Sequence, residues 1–516
     1  MPPGDRGRSG QTVGVRAGLR RSHANGLLLL LMASGCGSAA AAEVMPPSAT
    51  PGEVLLTDSL GRAVLLPTNS IPADLLPENA ATLIRQLPLL LPGSRAPSVV
   101  RSRHEAALSG DSGLEFLPAT PPLLPPYLTS LDEFGNTALK PGAMFPAPPF
   151  DRILQNAKFK LSDYGFRFTL AQNFTALGLV DANGDSSAQG FYALDFKGKW
   201  AVFSDPGSGA AGWITGQLEA MAGLGSTGAT ENPKSTLGTI SSPNYDWNSR
   251  NGVRLPELAW QQALPGGDWV VVAGMVSQRN YFDANAYAHS AHSQFLNSAL
   301  VHSQVLPLAQ YNLGLNLQWQ PHKDWYVMAG ASSGEAAAGQ APWTALSQGT
   351  WSVLGELGYA PEHAFGLGPG VYRIQPFVAR SEGPTQGGVA LDLQQQLGKE
   401  VPWAWFGRFG FGGSEVTAGA SAQAGTGFVI QGPLELMGLF PSRKYDSAGL
   451  GFIWSQPSAG KKTVYHENEF GMETGYVLQL TPTLKIQPDL QVFWDAAYAP
   501  GGGPQWAGQL QLDLLW

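Results

Sequence analysis

Along the last eleven residues, Trp506 to Trp516, apolar and polar positions alternate with a period of two. Trp516, Leu514, Leu512, Leu510, Gly508 and Trp506 share one side, and Leu515, Asp513, Gln511, Gln509 and Ala507 share the other. That period belongs to a strand whose two faces meet different environments. About eleven residues of tilted strand cross a bilayer, and aromatic residues mark both interfaces of such a strand. The stretch reads as the closing strand of a transmembrane β-barrel with Trp516 and the leucines toward lipid. A β-sandwich edge alternates in the same way, so the argument rests on repetition along the chain.

The pattern does repeat. Phe166, Phe168 and Leu170 alternate with Arg167, Thr169 and Ala171. Tyr311, Leu313, Leu315, Leu317 and Trp319 alternate with Asn312, Gly314, Asn316 and Gln318, again with an aromatic at each end. In the penultimate strand Ile486, Pro488, Leu490, Val492 and Trp494 oppose Lys485, Gln487, Asp489 and Gln491. Further strands are expected near 190–204, 212–222, 253–263, 350–360, 371–380, 389–397, 403–411, 425–437, 445–456 and 467–480. Tight turns at 265–268, 320–324 and 481–483 fall on one side of the membrane if Trp516 is placed at the periplasmic side. The longer Gly- and Ser-rich stretches at 223–252, 336–350, 412–424 and 495–505 then fall outside, as such barrels require. The count closes at about sixteen strands, an even number with both termini periplasmic. The expected fold class is therefore all-β: a transmembrane antiparallel β-barrel with a Pro-rich N-terminal extension.

Composition sharpens this reading. Charged residues are 14% of the chain, against roughly 25% in soluble domains. Mean hydropathy is only −0.07, and no stretch past residue 36 is long and apolar enough for a membrane helix. Few charges with neutral hydropathy suit alternating strands. The net charge of −8 argues against nucleic acid as a partner. At the N-terminus, Arg6, Arg8, Arg16, Arg20 and Arg21 precede the apolar run Gly26–Met32 and the small residues through Ala42. That order is a secretory signal peptide, with cleavage after Ala42; lipidation at Cys36 is the rival. The expected organisation is a signal peptide over 1–42, a Pro-rich, largely irregular periplasmic extension over 43–155 without strand alternation, and an outer-membrane barrel over 156–516.

From Arg254 to Gly330 the segments RLPELAWQQ, VVAGMVSQRNYFDANAYAHSAHSQFLNSAL and YNLGLNLQWQPHKDWYVMAG occur in order. So do IQGPLELMGLFPSRKYDSAGLGFIW and LTPTLKIQPDLQVFWDAAYAP further on. This wording resembles the carbohydrate-selective porin family, OprB type, over roughly residues 155–516. The resemblance implies an outer-membrane barrel that passes small sugars by diffusion. The Pro-rich extension is not part of the family pattern, and 223–252 matches it only loosely.

No nucleophile elbow, HExxH helix or phosphate loop is present, and no catalytic residue or cofactor is expected. His289 and His292 lack a third ligand for a metal, and His466 with Glu467 and Glu469 reads as a solvated rim. By alternation Glu257, Gln261, Arg373, Asp392, Arg408, Glu435, Glu473, Lys485 and Asp489 face the lumen, because a charge facing lipid costs about 2–4 kcal/mol near the midplane. The stretch Ser277 to Ser303 is far longer than a hairpin needs. It carries Tyr281, Phe282, Tyr287 and Phe295 among Arg279, Asp283, Asn285, Gln294 and Asn297. Aromatics are costly on a loop free in water, and long ordered loops are usually functional. Folding into the lumen would shelter the rings and narrow the pore. The expected sugar path is Glu257, Gln261, Arg279, Asp283, Gln294, Asn297, Arg373, Arg408, Glu435 and Glu473, since sugar hydroxyls need both donors and acceptors. Small sugars and outer-membrane lipid are the expected partners; assembly into a homo-oligomer and cell-wall contact by the extension stay open. A barrel with a plugged lumen, serving as an enzyme or assembly factor, and a secreted glycan-binding protein are the alternatives.

Overall fold

The computed structural model describes residues 53–57 and 63–67, isolated positions from 145 to 164, and residues 166–516 apart from short breaks. The expected signal peptide over 1–42 lies outside the described residues. Within the extension, β1 (Glu53–Thr57) and β2 (Ala63–Pro67) form an antiparallel pair with Leu55 opposite Leu65. The extension is thus not without strands; runs of five residues are too short for alternation to register in the sequence.

Sixteen strands form a closed barrel. They are β3 (Phe166–Val180), β4 (Ser186–Asp205), β5 (Ala210–Leu224), β6 (Gly252–Ala263), β7 (Trp269–Met275), β8 (Leu313–His322), β9 (Trp325–Ser333) and β10 (Trp351–Tyr359). They continue as β11 (Gly370–Arg380), β12 (Gln386–Gln396), β13 (Trp403–Gly412), β14 (Ala420–Gln431), β15 (Ser447–Pro457), β16 (Glu469–Gln479), β17 (Leu484–Trp494) and β18 (Gln505–Leu515). Each pairs antiparallel with its chain neighbours, and β18 closes the ring on β3 with Gln511 opposite Thr175. Closure leaves no unpaired strand edge, which is what a bilayer demands of a sheet. The tight turns at 265–268, 320–324 and 481–483 lie on the rim that carries Phe166 and Trp516, and the stretches 223–252, 336–350, 412–424 and 495–505 lie on the other, although the connection 432–446 makes one long exception on the first rim.

The outer wall is apolar. Leu258, Leu315, Leu357, Ile374, Phe452, Leu490 and Leu510 are exposed on it. Exposed aromatics ring both ends: Trp269, Trp319, Trp325 and Trp403 toward one rim, and Phe411, Trp494 and Trp506 toward the other. Trp269 and Trp319 stack at 5.2 Å. Trp516 departs from the expected pattern. It is only 7% exposed, meets Phe150 edge-on at 5.9 Å and exchanges both backbone hydrogen bonds with Leu170. The terminal ring is covered by the chain ahead of the barrel rather than presented to lipid. Glu435 also departs: β14 ends at Gln431, and Glu435 stands in a short helix, Pro433–Leu436, at the turn into β15. Pro433 starts that helix, where its missing N–H costs nothing.

Two segments enter the barrel from the rim opposite the chain ends. The first, residues 232–246, begins with helix α1 (Pro233–Leu237), capped by Asn232, whose side chain accepts from Lys234 N at 3.1 Å. The stretch 223–252 is thus not simply an external loop, as its Gly and Ser content suggested. The second, residues 276–312, contains helix α2 (Ser298–Val301), capped by Asn297. Its rings Tyr281, Phe282, Tyr287 and Phe295 are 0–3% exposed, so the in-folding read from the sequence is what occurs. Gly449 and Gly451 on β15 make room for it: a Cβ there would fall 2.9 Å from the Phe295 ring and 2.4 Å from Leu300, respectively.

Candidate functional site

The inner segments are held by carboxylates on the wall. On β16, Glu473 accepts from Leu296 N at 2.6 Å and Asn297 N at 3.0 Å. Four residues earlier, Glu469 accepts from Ile240 N at 2.8 Å and Ala497 N at 3.1 Å. Glu469 is 0% exposed, so it is a buried anchor and not part of a solvated rim. On β6, Glu257 accepts from Thr215 Oγ1, Asn280 Nδ2 and Tyr281 OH, each at 3.0 Å. Several donors offset part of the hydration that a carboxylate loses on burial, and those from Leu296, Asn297, Ile240, Asn280 and Tyr281 tie the inner segments to the wall.

A ladder of alternating partners crosses five neighbouring strands. Tyr326 on β9 donates to Glu356 on β10 at 2.5 Å. Arg373 on β11 donates to Tyr326 OH at 2.8 Å and pairs with Asp392 on β12 at 3.3 Å. Arg408 on β13 pairs with Asp392 at 3.2 Å and with Asp283 of the second segment at 3.0 Å. It also donates to the carbonyls of Asp283 and Leu300. Asn285 donates to Asp392 at 2.8 Å. Register makes this possible, since Arg373 faces Asp392 and Asp392 faces Arg408 across the sheet.

Most of the sequence-nominated residues are therefore occupied. Glu257, Gln261, Asp283, Asn297, Arg373, Arg408 and Glu473 are all 0–8% exposed. Asn297 caps α2 and donates to Gln491 at 3.0 Å. Gln261 lies between Trp213 and Val272, and neither of its amide atoms makes a hydrogen bond. Gln294, His292 and the side chain of Glu435 lie outside the described residues. Asp392 and Asp489 face inward but are buried, and Lys485 remains half-buried near the rim of the chain ends. Among the described residues no cluster suits a metal ion.

Solvent reaches a different set. On β4, β5 and β6, Asp195, Lys197, Glu219 and Arg254 remain half-buried, and from the inner segments Tyr245, Asp246, Arg279 and Tyr311 join them. Two guanidinium–tyrosine pairs stand here. Arg279 lies 5.5 Å from the Tyr245 ring centroid and donates to its OH at 3.3 Å. Arg254 lies 5.6 Å from the Tyr311 ring and donates to its OH at 3.3 Å, while Tyr311 donates to Glu219 at 3.0 Å. Lys197 meets Asp195 at 3.6 Å, and Gln217 donates to both Asp195 and Glu219 at 3.1 Å. Burial and the nearby Glu219 push the Tyr311 hydroxyl far above its ordinary range, so it stays a neutral donor. Tyr311 and Asp283 both hold left-handed backbone, φ 54° and 61°, a costly conformation that concentrates at functional sites. Of the sequence-nominated residues whose side chains are described, only Arg279 belongs to this set. Charged residues at inward strand positions were the available signal for Asp195, Lys197 and Glu219; nothing local distinguishes them from their buried counterparts.

A family model described as carbohydrate-selective porin, OprB family, matches residues 210–397 and 383–502. The fold is similar to the high-pH structure of Pseudomonas putida OprB, at 15% identity and a TM-score of 0.57, covering 70% of this chain and 96% of that one. The low-pH structure of the same protein gives 17% identity and a TM-score of 0.45 over 70% and 96%. An anion-selective porin from Comamonas acidovorans gives 11% and 0.41 over 68% and 99%. No curated protein sequence matches. The family matches together span more than half of the chain, and the closed sixteen-stranded barrel is the architecture they imply, so this chain belongs to the OprB family of carbohydrate-selective porins, barrels through which sugars diffuse passively.

Proposed function

We propose that sugars cross the barrel along β4–β6, between Asp195, Lys197, Glu219 and Arg254 on the wall and Tyr245, Asp246, Arg279 and Tyr311 on the inner segments. The observation that carries this reading is the grouping of both guanidinium–tyrosine pairs with acids where the lumen stays open. A sugar offers hydroxyls that need donors and acceptors together, and a C–H face that packs on a ring. Three cations and three acids nearly cancel along the route, which favours a neutral polar solute over an ion of either sign. Glu257, Asp283, Asn297, Arg373, Arg408 and Glu473 act at one remove, by holding the second segment in place. The barrel sits in the outer membrane of a bacterium with both chain ends periplasmic, and it works as a channel and not as an enzyme.

The test is liposome swelling and sugar block of ion current with Tyr245→Ala and Arg279→Ala. Swelling rates for different monosaccharides should converge, and the half-saturating sugar concentration should rise several-fold. An unchanged sugar preference in either folded variant overturns the route.

A further inference from the structure

We infer that His302 is a positioning residue for sugar recognition, coupling the buried Arg408–Asp283 ion pair to the Tyr245 ring on the route. This rests on the route proposed above.

The imidazole sits between the two. Its Nδ1 lies 3.3 Å from Asp283 Oδ2 and donates to it, and the same oxygen accepts from Ser303 N at 2.6 Å. The other carboxylate oxygen of Asp283 takes Arg408 Nε at 3.0 Å. On its far side the His302 ring packs on Tyr245, centroid to centroid 4.9 Å. Tyr245 in turn carries Arg279. The chain of contact runs from the wall of β13 through the second segment to Tyr245 of the first, which keeps partial exposure. The backbone N–H of Tyr245 donates to Leu296 O at 2.7 Å, its ring also packs against the cluster that holds Tyr287, Phe295 and Phe406, and His302 covers it from the ion-pair side. A ring held on one face by another ring, whose own orientation is set by a hydrogen bond, is preorganised for stacking.

His302 is 5% exposed and never meets the solute, so its role differs from that of a contact residue. Burial holds the imidazole below its ordinary value, at about 4, although Asp283 pulls the other way. It is thus a neutral spacer at working pH. The charged and titratable groups that face it are Asp283, Arg408, Arg279, His289 and Tyr245.

The experiment is a double-mutant cycle on the full chain in planar bilayers, reading sugar block of the ion current. His302→Ala should raise the half-saturating sugar concentration by no more than Tyr245→Ala does, about threefold, and in a Tyr245→Ala background it should add little, because both changes remove one arrangement. His302→Asn keeps a donor for Asp283 but no ring, and should fall with His302→Ala; His302→Phe keeps a ring without the donor, and should recover part of the affinity. If His302→Ala fails to assemble, the Asn and Phe variants carry the same comparison. Unchanged affinity in His302→Ala, or an equal loss with and without Tyr245, overturns the coupling. An effect of Tyr245→Ala without any effect at His302 sinks only this inference; no effect at Tyr245 sinks the route itself.

Discussion

The two sides of the lumen use similar residues for different ends. From β9 to β18 the inward acids and arginines, Glu356, Arg373, Asp392, Arg408, Glu469, Glu473 and Asp489, are 0–8% exposed and carry or adjoin the inner segments. From β4 to β6 Lys199 and Glu257 are buried as well, but the inward Asp195, Lys197, Glu219 and Arg254 keep solvent contact. Residue type does not separate them. What separates them is how completely residues 232–246 and 276–312 cover them: Tyr311 reaches Arg254 and Glu219, yet both keep partial exposure. A buried polar wall needs complete pairing, because a lone charge left there is very costly. On the open wall Lys197 and Asp195 meet at 3.6 Å with partial exposure, so a passing solute can reach the same groups.

Breaking the covered side should have the largest effect. Arg408→Ala leaves Asp283 and Asp392 buried without their shared cation, which costs about 3–5 kcal/mol. Urea unfolding in lipid vesicles should show that loss, and any barrel that assembles should conduct more and discriminate less. Retained stability would mean that the ladder does not hold the second segment.

Acid should come next. Burial keeps His302 near 4, and His289, which faces His302, Arg408, Lys197 and Asp283, lies well below its ordinary range for the same reason. Groups whose folded values are depressed contribute stability that is complete above about 6.5 and declines as pH falls from there toward 4. Docking of the second segment should therefore weaken across that window, seen as rising or noisier single-channel current. A flat response from 6.5 to 4 would show that the imidazoles are not held neutral by docking.

The open side should give the smallest change in stability and a clear change in transport. Arg254→Ala and Lys197→Ala should alter unfolding by less than about 0.5 kcal/mol, as half-exposed substitutions usually do. The reversal potential in a salt gradient should still shift toward cations, because the route loses a positive charge. A stability loss comparable to that of Arg408→Ala would erase the distinction between the two sides.

The sequence by itself determined the barrel. Inward and outward faces, the sixteen strands and the rim of each turn follow from a period of two, because lipid and water impose opposite demands on adjacent residues of one strand. Leu510 and Leu512 turn outward while Gln509 and Gln511 turn inward, as read. The length and ring content of Ser277–Ser303 also revealed a segment that had to be sheltered. The role of each inward polar group was not legible, since it depends on pairings far apart in the chain. Asp283 meets Arg408 across 125 residues, and Asn244 meets Gln511 across 267. Gln511 is 0% exposed in that contact, although alternation alone makes it a water-facing wall residue. Likewise Trp516 has the pattern of a lipid-facing girdle and is covered by Phe150. Alternation is local and records only which face a side chain takes; what then packs on that face is decided when the chain folds back into its own lumen.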